Sequence, residues 1–124
     1  MATNNWFRST TIEAGEDLTG RQYHAIALDD GEIADNSHEA GGILINKPKS
    51  GEFLTLGYLG EMKFRAGVGL SGGNRLRVTT SGYFVAADSG YYTVGRAKVA
   101  VTSGSIGTGF FNFIAPFYQD VSSL

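Results

Sequence analysis

Residues 61–80 read EMKFRAGVGLSGGNRLRVTT. Two alternating segments flank a glycine-rich middle. Met62, Phe64 and Ala66 alternate with Glu61, Lys63 and Arg65, and Leu76 and Val78 alternate with Arg75, Arg77 and Thr79. A period of two puts one side of the chain on a core and the other in water, which is the pattern of a half-buried β-strand. The intervening Gly67–Gly73 reads as a connection, because glycine supplies the positive φ angles of tight turns. The same seven residues satisfy both G-x-G-x-x-G and G-x-S-x-G. A phosphate-binding loop or a nucleophile elbow requires a helix after the turn, and here a strand pattern follows. Neither chemistry is expected.

The rest of the chain repeats this grammar. Ser-Gly pairs recur at residues 50–51, 71–72, 81–82, 89–90 and 103–104. Between them the sequence predicts strands over Gln22–Leu28, Gly42–Asn46, Glu52–Leu56, Glu61–Ala66, Arg75–Thr80, Tyr83–Ala87, Tyr92–Thr102 and Gly109–Ala115. About eight short strands at this spacing predict an all-β fold, a small antiparallel sandwich or barrel. No window carries a helical period; Thr11–Gly20 has room for a short turn, weakened by Gly15 and Gly20. The 124 residues suit a single domain. The expected division is an extended N-terminal arm over residues 1–12, one β domain over 13–118 and a C-terminal tail over 119–124.

Composition excludes several functions. Without cysteine there is no disulfide scaffold, thiolate metal site or cysteine nucleophile. A net charge of −2 gives no basic excess for a nucleic-acid partner, and no apolar run approaches the ~20 residues of a membrane span. The N-terminal residues show no basic segment followed by an apolar one, so no secretory signal is expected. His24 and His38 are the two histidines. His38 lies in the acidic stretch Asp29–Glu39, which is rich in oxygen ligands but does not follow the spacing of an EF-hand loop. A solvated loop is the default reading, and no metal, cofactor or catalytic group is assigned.

Charge is distributed unevenly. Residues 1–62 carry a net −6 and residues 63–124 a net +4. Either these are ordinary solvated faces or an acidic surface of one copy meets a basic surface of another, which sets register more than affinity.

Both ends point to protein partners. Trp6-Phe7-Arg8 is an aromatic and cationic cluster in an otherwise polar start, and such residue types dominate interface energetics. It either folds back on its own domain or docks on a neighbour, and an extended arm can also add a strand to a sheet edge. Residues 109–118 read GFFNFIAPFY and are apolar on both faces. Such a strand is central in a core or buried against a second subunit; Phe110, Phe111, Phe113 and Phe117 are the expected oligomer interface.

The order of Ala14-Gly-Glu-Asp-Leu18, Ala40-Gly-Gly-Ile-Leu44, Lys49-Ser-Gly-Glu52, Gly60-Glu-Met62, Ala66-Gly-Val68, Ser81-Gly-Tyr-Phe-Val-Ala-Ala87 and Ser89-Gly-Tyr-Tyr-Thr-Val-Gly-Arg-Ala97 resembles the small β-rich capsid decoration, or cement, proteins of tailed bacteriophages. The resemblance spans roughly residues 11–113 and rests on glycine-punctuated hairpins. It implies a non-enzymatic virion protein, made in the host cytoplasm and bound to the capsid surface. Its implied partners are the major capsid protein and itself, as a homotrimer, with Trp6, Phe7 and Arg8 touching the capsid. Other readings are a different phage structural module, such as a tail-tube or head-completion protein, and a small carbohydrate-binding or hydrolytic domain. A glycosidase needs two carboxylates facing each other across a cleft, and the sequence around the acids has no apolar cleft pattern.

Overall fold

The computed structural model describes residues 7–37, 39–87, 92–114 and 117–118. Ten strands follow in order: β1 (Phe7–Glu13), β2 (Ala25–Ala27), β3 (Ala40–Leu44), β4 (Phe53–Arg65), β5 (Arg75–Val78), β6 (Phe84–Ala86), β7 (Tyr92–Thr93), β8 (Gly95–Ala97), β9 (Ile106–Asn112) and β10 (Phe117–Tyr118). One 3-10 turn spans Thr80–Gly82. Eight strands form an antiparallel sheet in the order β2-β3-β4-β9-β8-β5-β6, with β1 also paired to β4, while β7 and β10 form a separate pair. The large sheet curls into a nearly closed barrel. At the closure, Ala66 just past β4 bridges Phe84 of β6, and Gly67 N–H donates to the Phe84 carbonyl at 2.8 Å. The all-β expectation is met.

β4 organises the molecule. Two separate strands were expected at Glu52–Leu56 and Glu61–Ala66; instead one strand of 13 residues runs through both. Its link to β1 contains a bulge: Ser9 lies opposite Gly57 and Arg8 opposite Leu59, which leaves Tyr58 as the extra residue. One extra residue reverses which face the alternation serves. Accordingly Leu54 and Leu56 enter one apolar cluster, with Ala14, Leu18, Ile26 and Leu44, whereas Met62 and Phe64 enter another. β2 and β3 lie between the two clusters. Ala25, Ala27 and Ile43 serve the larger while Ile26 and Leu44 serve the smaller, so β2 is buried at every residue.

Phenylalanine fills the larger core. Phe64, Phe84 and Phe111 meet edge to face at centroid distances of 5.6, 5.5 and 5.3 Å, and Phe113 stacks on Phe111 at 5.8 Å. Such offset and T-shaped pairs suit the ring quadrupole and add to the burial of area. Space for the Phe111 ring comes from glycines on the same inner face: a Cβ on Gly95 would lie 2.5 Å from that ring, and one on Gly109 3.1 Å from it. The inward-facing glycines of β8 and β9 thus let large rings reach the middle of a small barrel.

Several expected boundaries shift for local reasons. The stretch read as an arm through residue 12 is, from Phe7 onward, the paired strand β1. Ile12 packs against the smaller core, so β1 belongs to the domain; Met1–Trp6 and Gln119–Leu124 lie outside the described residues. The expected strand from Gln22 begins only at Ala25, because Tyr23 adopts a left-handed φ of 72°. The expected strand Tyr92–Thr102 divides into β7 and β8 and ends in a turn at Lys98. Gly67–Gly73 is a connection that feeds β5, with Asn74 Oδ1 accepting from Ser71 N–H at 2.8 Å. No helix follows it, which removes the phosphate-loop and nucleophile-elbow readings.

Candidate docking surface

The acidic stretch is occupied with holding its own turns. Asp30 Oδ1 accepts from Glu32 N–H at 3.0 Å, Glu39 Oε1 from Asp35 N–H at 3.2 Å, and Asp35 Oδ1 from Ser81 N–H at 3.2 Å. From the neighbouring loop, Glu16 Oε2 accepts from Ile33 N–H at 2.9 Å. The Ser37 hydroxyl, buried, accepts from Val78 N–H at 2.8 Å. These are Asx-type and capping contacts that satisfy backbone donors in place of a ladder. Gly31 turns this loop at φ 70°, against the Glu13 carbonyl, where a Cβ would collide. Among the described residues no three His, Asp or Glu side chains converge as a metal site; His38 lies outside them.

His24 sits at the barrel seam, and its surroundings are structural. The ring is 3% exposed. Nδ1 lies 2.8 Å from the Ser81 carbonyl, to which it donates as the Nδ1–H tautomer, and the ring meets Tyr83 edge to face at 4.7 Å. The seam is tightly wound: Ser81 and Gly82 have φ of 62° and 73°, beside Tyr23 at 72°. The partner of the imidazole is therefore a backbone oxygen, not a nucleophilic hydroxyl.

Burial holds the His24 pKa below its ordinary 6.5, with the Arg21 and Arg65 charges acting in the same direction and the Ser81 hydrogen bond opposing them. The unfolded chain thus binds the proton more readily than the native one. Stability from this group is complete above about pH 6.5 and is lost as pH falls from there toward the lowered native pKa. Melting temperature is expected to fall as pH drops below about 6.5. His24→Asn, which keeps a donor for Ser81, should flatten that slope; an equally steep slope in the variant would contradict the assignment.

Apolar side chains gather on two parts of the surface. A cleft of about 570 Å³ is lined by Thr10 of β1, Leu28, Ala40 of β3, Tyr58 of the bulge, Phe113 and Ile114. Leu28 is 54% and Ile114 66% exposed at its rim. Arg8, exposed, is two residues from Thr10 along β1 and so shares its face. Trp6 lies outside the described residues, and Phe7 is the first paired residue of β1, opposite Gly60. The second region is the outer face of β4, β9, β8 and β5, where Phe110 is 52% exposed. A hollow of about 320 Å³ beside it is lined by Gly95, Arg96, Phe111 and Asn112.

The expected phenylalanine interface divides. Phe111 and Phe113 are 3% and 7% exposed and belong to the chain's own core, because β9 alternates inward and outward as an ordinary barrel strand. Their aromatic character is accounted for without a second subunit. Phe110 faces outward, and Phe117 lies in β10, opposite Thr93 of β7.

What the sequence reading missed is the convergence of charge on one face. Glu61, Phe110, Arg96 and Arg75 stand in register across four strands. Lys63, Arg65 and Arg77 point outward with them, alternating with buried Met62, Phe64, Leu76 and Val78. Lys98 follows β8 and pairs with Glu61 at 2.8 Å. Each alternation is visible in the sequence; which strands are neighbours is not.

No family model matches this chain, and no curated protein matches it in sequence. Its fold does have a solved counterpart. The N base of head fiber gp8.5 in bacteriophage phi29 superposes with a TM-score of 0.69 at 17% identity, over 87% of this chain and 96% of that one. At that identity the likeness shows a shared fold.

Proposed function

We propose that this chain is a structural protein of a bacteriophage head, bound to the outer capsid surface, where it bridges major capsid proteins as a homotrimer. The observation that carries this reading is the fold likeness to a head fiber base over nearly its whole length. The surface supports it: the chain presents apolar clefts and patches for protein contact, and the chemistry-bearing side chains described above are engaged in holding turns. In this reading the N-terminal residues Trp6, Phe7 and Arg8 meet the capsid; of these, Arg8 shares a face of β1 with Thr10, which lines the cleft. Many weak contacts of this kind add up on a lattice through avidity.

A second reading comes from the counterpart itself, which is the base of a fiber. In that case the domain anchors further chain to the head instead of bridging capsid proteins. Removing Met1–Trp6 and replacing Arg8 by Ala tests the shared docking step. The shortened chain should keep its melting temperature yet cosediment with heads about tenfold less well or worse, as losing an interface anchor does. Undiminished cosedimentation would remove the arm from the contact.

A further inference from the structure

The structure separates the two signs of charge along β4. Glu13 stands opposite Phe53 at the start of that strand, and Glu52 precedes it. Glu16, Asp30 and Glu32 gather close by, around the contact between Gly15 and Gly31, whose backbones join at 3.0 Å. Phe53 is 70% exposed there. At the other end of β4, Lys63 and Arg65 begin the cationic face already described, with Phe110 at its middle. Among the described residues of that face Glu61 is the one acid, and Lys98 engages it. The separation is one of excess: Lys49 stands at the acidic end, its backbone N–H donating to Glu52 Oε1 at 2.7 Å, as Glu61 stands on the cationic face. Each end therefore combines an excess of one sign of charge with one outward phenylalanine.

We infer that the outer face of β4, β9, β8 and β5 docks the acidic end of a second copy of this chain, with Phe53 of one copy entering the hollow beside Phe110 of the next. Complementary charge selects this occupant: a cationic sheet face would repel a second cationic face, while the acidic end offers opposite charge around a side chain suited to the hollow. The contact joins two different surfaces, so it is head-to-tail. Repeated around an axis, such a contact closes into a ring; without closure it gives a filament. Opposed fields set the register, and the desolvated aromatic centre holds the contact. The inference extends the self-assembly part of the proposed function and is independent of head binding.

The test needs the purified chain and no heads. Mass in solution is measured by sedimentation at about 0.1 M and about 1 M salt, where charges are screened over roughly 10 Å and 3 Å. The native chain should exceed its monomer mass of 13.2 kDa at low salt and dissociate at high salt. Reversing the face (Lys63→Glu with Arg96→Glu) or the acidic end (Glu13→Lys with Glu32→Lys) should each weaken association about tenfold or more. Carrying all four substitutions in one chain should restore it. Melting curves establish that each variant is folded. A native chain that is monomeric at both salts, or a folded four-fold variant no better than either pair, would overturn the inference. So would a folded face reversal that leaves the mass in solution unchanged.

Discussion

Phe111→Asp is expected to abolish the native fold, while Phe110→Asp, one residue away, leaves it intact. The Phe111 ring sits between Phe64, Phe84 and Phe113 and above the inward glycines of β8 and β9. Truncating such a residue to Ala costs about 3–5 kcal/mol. A carboxylate in its place adds the penalty of a buried charge without a partner. A domain of this size holds only about 5–15 kcal/mol in total, so the loss is a large part of all there is. Phe110 faces solvent next to Arg96, and a carboxylate there meets water and a cation; surface changes of that kind stay within about 0.5 kcal/mol. Urea unfolding followed by tryptophan-independent far-ultraviolet circular dichroism separates the two. Equal midpoints would mean that β9 does not alternate as described.

Removing residues 1–13 is expected to be nearly as damaging, whereas removing 1–6 is not. All seven residues of β1 pair with β4, and Ala14, immediately after, donates its N–H to Glu52 at 2.8 Å. Loss of β1 exposes that edge of β4 and uncovers the smaller core, in which Ile12 covers Leu54 and its neighbours. Burying one aliphatic side chain is worth about 1.5–3 kcal/mol, and the unpaired edge invites aggregation as well. The longer deletion should give insoluble or molten protein, and the shorter one a melting temperature within a few degrees of the full chain. A longer deletion that melts like the full chain would contradict the placement of β1.

The strand class was legible because alternation is a local signal. Glu61–Arg65 and Arg75–Val78 present their apolar and charged sides as their period of two requires. Three things were not legible. Tyr58 offers no local sign of a bulge, since the extra residue exists only relative to Arg8 and Ser9 on another strand. The aromatic run at residues 109–118 looked two-faced because composition does not reveal that Gly95, Gly107 and Gly109 clear space inside for the large rings. The cationic face depends on β4, β9, β8 and β5 lying side by side, an order that no pairwise spacing in the sequence discloses. The sum of charge in each half was visible; its concentration around Phe110 was not.

Direct imaging of phage heads assembled without this chain and then mixed with it addresses the central claim. The account predicts added density at fixed, symmetry-related positions on the outer surface, in clusters of three, with the N-terminal end of β1 toward the shell. Bare heads in the presence of folded, saturating protein would contradict it.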